Sequence, residues 1–412
     1  MRMKFNKSSQ LLLVSAVSLL AASVMTACGT LTVDFVYVTS AKAAGPNSYG
    51  EIDVFEVNSE SGFMRPIKTS PFPSGGRNPV AEAVSPDDTN LYVVNEDDNT
   101  IVQFIIGNDG KLYPQNTVNT PGIFPLGVAV GGSHLFVIDT FQPLPTCSPA
   151  APCSGSIAVF PILTADQAKA LTPSQPANTL GPPAVNTGVS GSYWPLTLPG
   201  NPTHVLTPTA VTTTASGGSV YVAAYDATAG GGYVFGFSVN SDGTLAALNS
   251  GIPFGAGTHP SAILSDVNGQ YLYVADAVDD VVRGYQINAG LLTPLSSSPF
   301  KTGSQPSAIA IDATGRFAYV TNARDSNLTA YTISNGALNS IGTYTTGTQP
   351  VAIGIDPGTN QYLYTANFLG STISGFQLNP NDGTLLNSQY SPYTSNALPT
   401  AVAAIPHEST KK

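Results

Sequence analysis

The chain has 412 residues with 40 Gly, 33 Pro, 10% charged and 42% hydrophobic residues. Scarce charge beside abundant Gly and Pro excludes long charged helices and favours many short strands joined by turns. The formal net charge of −10, without a basic patch, argues against nucleic acid and anionic lipid surfaces as partners.

The first 27 residues read as an export signal. Arg2, Lys4 and Lys7 precede an apolar run from Leu11 to about Val24, too short to span a bilayer comfortably, and small residues end it. Met25-Thr26-Ala27-Cys28 resembles a bacterial lipoprotein box. It implies a lipid anchor on Cys28, with simple secretion as the alternative, and a periplasmic or cell-envelope address. Removing residues 1–27 takes three positive charges and makes the body more acidic, at −13. Residues 28–412 are expected to form one domain and a monomer, touching a membrane only through the anchor.

That body is a repeat. The strand FAYVTN at 317–322 recurs as FVYVTS (35–40), LYVVNE (91–96), LFVIDT (135–140), VYVAAY (220–225), LYVADA (272–277) and LYTANF (363–368). All but the first follow a proline-started strand, at Pro79, Pro125, Pro202, Pro260, Pro306 and Pro350. The proline lies 11 to 14 residues before the aromatic position, except in copy four, where Pro202 precedes Tyr221 by 19. Each unit then adds a third strand ending on an aromatic (Phe55, Phe104, Phe160, Phe237, Tyr285, Tyr331, Phe376) and a fourth, weak strand. Four strands in about 45 residues cannot bury both faces alone, so the copies must stack. Leu398 to Ala404 matches the first strand missing from copy one. The expected fold is all-β: a seven-bladed β-propeller of four-stranded blades, closed by the C-terminal strand joining the N-terminal blade.

Copy three departs from the template. After its LFVIDT strand comes CSPAAPC, where Cys147 and Cys153 suit a disulfide in an exported protein. A Pro-rich stretch from Leu163 to Gly200 follows and holds Trp194, the only tryptophan. Trp194 either stacks on a sugar ring or pins its own loop. By propeller convention both insertions are expected to leave from the loop-bearing face.

The YVTN-type strands and the P-x-A-I-x-x-D-x-x-G-x-x-x-Y-V unit resemble the seven-bladed lactonase family, whose members include 6-phosphogluconolactonases. The best local match is HPSAILSDVNGQYLYVADAVDDVVRGY. Family enzymes carry Pro-His-Ser at the start of such a strand; here the order is His259-Pro260-Ser261, while Asp276 and Asp280 match. The resemblance implies hydrolysis of a sugar-derived or other small lactone.

Lactone hydrolysis needs an activated water and stabilisation of an oxyanion. His259 and His204 are the candidate bases, with a carboxylate to orient one of them and Arg324 to assist. The residues before the inner-strand prolines, among them Asn78, His259, Gln305 and Gln349, are expected to ring one mouth of the central channel. Asn322, Asp139, Asp226 and Asp276 lie on the strand-end loops around it. Glu82 replaces a Val or Ile found in the other copies and is expected either to face the channel or to pair locally. Two further readings stay open: a non-catalytic envelope propeller recognising a glycan or protein, and a lactonase using a divalent metal such as Ca²⁺ on its Asp-rich loops. No cofactor is expected for the first two. No G-x-S-x-G, H-E-x-x-H, Walker or dinucleotide fingerprint is present.

Overall fold

Short alternating strands with Gly at the turns leave each sheet two apolar faces, and the chain buries them blade against blade. A computed structural model describes residues 31–44, 47–396 and 398–407. It forms seven antiparallel sheets with a core of four strands each. Residues 1–27 and Cys28 lie outside the described residues. Among the described residues no helix is long and apolar enough to cross a membrane.

Ring closure follows the sequence reading. The C-terminal strand Pro399–Pro406 is the innermost strand of the first blade, pairing Thr39 with Ala401, Tyr37 with Ala403 and Phe35 with Ile405. The next strand of that blade, Thr32–Ala44, then pairs with Tyr49–Asn58. Strands from near both ends of the described chain thus share one sheet, and the first and last blades pack together without a gap.

Seven core clusters fill seven seams, each drawing side chains from two neighbouring blades. The third-strand aromatics all sit in these seams and are buried. The second-strand tyrosines go further. Buried Tyr37, Tyr221, Tyr273 and Tyr319 each donate a hydroxyl hydrogen bond to the carbonyl of a hairpin glycine in the following blade: Gly110, Gly290, Gly336 and Gly383. The phenol satisfies its own polar end while tying one blade to the next. Nearer the axis, hydroxyls on the inner strands repeat the trick. Ser261 donates to Pro306 O, Ser307 to Pro350 O and Thr400 to Pro79 O.

A proline opens the inner strand because a strand's first residue needs no ladder N–H. A bulge follows it at Pro79/Ala81, Pro260/Ala262, Pro306/Ala308 and Pro350/Ala352. Blade four corrects the expectation. Its inner strand is Leu206–Thr213, and the bulge falls at Pro208/Ala210. Pro208, not Pro202, is therefore the opening proline. It restores the 13-residue spacing to Tyr221. Pro202 lies in the exposed loop before the strand.

Candidate functional site

The loop-bearing face is built by strand ends whose polar side chains cap the next loop. In blade five Asp276 is fully buried and accepts the N–H groups of Thr258 (2.6 Å), His259 (3.1 Å), Val278 (3.1 Å) and Asp279 (3.1 Å). Arg283 bridges Asp276 and Asp279. Asp280 accepts the N–H of Gln305 at 2.7 Å and the Ser304 hydroxyl at 3.4 Å, fastening blade five to the loop that opens blade six. Both family-matching aspartates thus shape loops, and neither orients an imidazole. Asn322 is likewise buried, and its side chain is occupied by Thr302, Asn327 and Thr329.

The residues before the inner prolines adopt left-handed backbone at Asn78, Phe124, Gln305, Gln349 and Leu398. His259 and Thr207, their counterparts in blades five and four, do not. In blade five the left-handed residue is Gly257, at φ +87°, two positions earlier. A Cβ there would collide with Asp276 and Arg283, so only glycine fits. This shifted turn carries the His259 ring onto Tyr225 of blade four, stacked at 4.2 Å between centroids and 27° between planes. Its Nδ1 is buried without a hydrogen-bond partner.

His204 lies on the long loop that enters blade four. Its Nδ1 is 2.6 Å from Oδ2 of Asp226, the last residue of the neighbouring strand Ser219–Asp226. Asp226 is 2% exposed and its Oδ1 accepts the N–H groups of Thr228 and Ala229. Burial pushes this carboxyl up, but the bonds from His204, Ala229 and Thr228 outweigh it and hold it below the usual range. A carboxylate at Nδ1 fixes the tautomer with the proton there and leaves Nε2 with its lone pair. Among the described residues no protein group bonds Nε2. The imidazole side chain is 23% exposed.

The two histidines therefore flank one strand end, His204 bonding Asp226 and His259 stacking on the adjacent Tyr225. The His204–Asp226 pair is the arrangement the sequence reading sought. Its carboxylate is Asp226, however, rather than Asp276 or Asp280. The disulfide loop supports it from behind. Ser154, next to Cys153 of the Cys147–Cys153 disulfide, donates to His204 O at 3.0 Å and accepts Leu206 N–H at 3.1 Å.

Other candidates stand apart. Trp194 is 7% exposed in the seam between blades three and four, its Nε1–H bonding Leu245 O at 3.0 Å. It pins its loop and has no face free for a sugar. Glu82 pairs locally, accepting the Thr39 hydroxyl across the seam between blades one and two. Burial pushes its carboxyl up to about 8 against the bonds from Thr39 and Ala403. Arg324 is exposed on blade six and forms no ion pair among the described residues. Its neighbour Asp325 instead accepts Ser304 N–H. Asn78 donates to Glu96 Oε2 at 2.6 Å. Gln305 and Gln349 reach the same face through backbone bonds to Asp280 and Ser326. Among the described residues no three His, Cys, Asp or Glu side chains gather to hold a metal ion.

The ring is a seven-bladed β-propeller with a His204–Asp226 pair on its loop face. Residues 268–402 match the family model "Lactonase, 7-bladed beta-propeller", which confirms the resemblance over blades five to seven and the closing strand. Among solved structures the chain is similar to a candidate 6-phosphogluconolactonase from Bacteroides fragilis (18% identity, 91% of this chain and 99% of that one, TM-score 0.69). It is similar to the periplasmic gluconolactonase of Pseudomonas aeruginosa (19%, 90% and 99%, TM-score 0.68). It is also similar to a functionally unknown protein from Desulfotomaculum acetoxidans (13%, 90% and 98%, TM-score 0.63). At these identities the likeness shows the fold alone. No curated protein matches the chain.

Proposed function

We propose that the protein hydrolyses a small lactone with His204 as general base and Asp226 as its orienting carboxylate. The observation that carries this reading is the 2.6 Å Nδ1–Oδ2 contact between an imidazole and a buried carboxylate. Nε2 takes a proton from water as the water oxygen attacks the lactone carbonyl. The tetrahedral intermediate collapses, the ring C–O bond breaks, and the imidazolium returns its proton to the leaving ring oxygen. The product is the open hydroxy acid. Asp226 stabilises the imidazolium between the two proton transfers, a role that depends on the buried, N–H-bonded state of its carboxylate. We further propose, from the basic start and apolar run of residues 1–27, that this activity lies outside the cytoplasm. The burial of Trp194 removes one aromatic platform from the alternative of a glycan- or protein-binding propeller.

The test is acid release from glucono-δ-lactone and other small lactones in a pH-stat by the mature protein and its H204Q and D226N variants. Catalysis lost in both variants, with folding intact by circular dichroism, supports the assignment. A mature protein that opens no lactone in the panel removes it.

A further inference from the structure

We infer that the site selects an uncharged, hydroxyl-rich lactone and rejects a phosphorylated one; this rests on the lactonase reading above. The argument is one of charge. Between Lys169 and Arg283 the chain contains no lysine or arginine, and both histidines of the site fall inside that stretch. The charged groups around them are Asp226 on blade four and Asp276, Asp279 and Asp280 on blade five. The one cation among these, Arg283, is committed to Asp276 and Asp279.

Recognition of a phosphate calls for paired arginine or lysine donors, or a cradle of free backbone N–H groups. Neither is built here. The N–H groups of Thr228, Ala229, Thr258, His259, Val278 and Asp279 are already spent on Asp226 and Asp276. Lys301, on the outer edge of blade five, and Arg324 on blade six bond none of the site residues. A dianion approaching the His204–His259 mouth meets like charge. A neutral polyol meets no such repulsion, and the partly exposed Tyr225–His259 stack offers a surface for its carbon face.

The experiment compares kcat/KM for glucono-δ-lactone and 6-phosphoglucono-δ-lactone at low and moderate salt. The expected result is a preference of about tenfold or more for the neutral substrate, narrowing as salt screens the repulsion. Two variants alter the ratio without touching the dyad. D279N removes one acid. V278K places a cation at a side chain that is 61% exposed and therefore tolerant of change. Each should raise the relative rate on the phosphorylated lactone severalfold. Equal or better turnover of the phosphorylated lactone by the wild-type protein overturns the inference while leaving the lactonase reading intact. A ratio unmoved by V278K also overturns it. If neither lactone is opened, the lactonase reading fails and the inference falls with it.

Discussion

The seam that closes the ring contains a buried acid whose protonation should control stability. Asp34 is fully buried, and neither of its oxygens meets an N–H or O–H donor. It faces Asp356, which already accepts bonds from Gly358, Thr359 and Gln361 in its own turn. Burial first, then Asp356, pushes the Asp34 carboxyl up to about 10. Asp34 is therefore neutral in the folded protein across the physiological range and ionised in the unfolded chain above about pH 4. Because the folded state holds the extra proton, stability is greatest below the unfolded value and falls as pH rises towards the folded one. Each pH unit in that window removes up to about 1.4 kcal/mol, or about 4 kcal/mol between pH 5 and pH 8. Asp34→Asn keeps the shape, supplies an N–H donor to Asp356 and removes the titration. Urea unfolding of wild-type and D34N protein at pH 5 and pH 8 measures the effect. D34N should be the more stable at pH 8, with the difference shrinking at pH 5. Glu82, pushed up to about 8, and Asp139, up to about 7, act in the same direction, and comparing the variant with the wild type separates Asp34 from them. Equal pH sensitivity in the two proteins would refute the reasoning.

Three further outcomes follow from named contacts. Tyr319→Phe removes the hydroxyl bond to Gly383 O between blades six and seven and leaves that carbonyl short of a donor, costing about 1 kcal/mol in urea unfolding. Trp194→Ala empties part of the seam between blades three and four and should cost about 3–5 kcal/mol, with the loss read in stability rather than in ligand affinity. Ser154→Ala frees the backbone of His204 and should lower kcat severalfold with little change in melting temperature. A matching fall in both would assign Ser154 to the fold alone.

The ring was legible because its signals are local and repeated. Seven aromatic-centred strands, prolines at a near-constant offset and an orphan strand at Leu398 each reflect a requirement every blade must meet. Blade four shows where this reading slips. Two prolines six residues apart, Pro202 and Pro208, compete for one role, and the insertion before them hides the register. The discordant spacing at Pro202 was itself the clue, since Pro208 brings the blade into line. The site was only half legible. Both histidines stand out in a chain with four, and Asp226 lies among the strand-end acids. Their pairing depends on a loop 22 residues away in sequence folding back beside the disulfide, which no repeat encodes. The family-matching Asp276 and Asp280 misled for a related reason. A carboxylate at a strand end serves backbone N–H groups as readily as an imidazole, and composition does not separate the two. Trp194 was undecided between ligand and loop, and its burial depends on the contact with Leu245 from the next blade.

The central claim is that His204, oriented by Asp226, is the base of a lactone hydrolase. The most direct measurement is the pH-stat rate on glucono-δ-lactone for wild-type, H204Q and D226N protein, with H259Q as the comparison. H204Q should lose about 10²- to 10⁴-fold in kcat, D226N a comparable amount, and H259Q less. Full activity in H204Q, or a loss confined to H259Q, would contradict the claim.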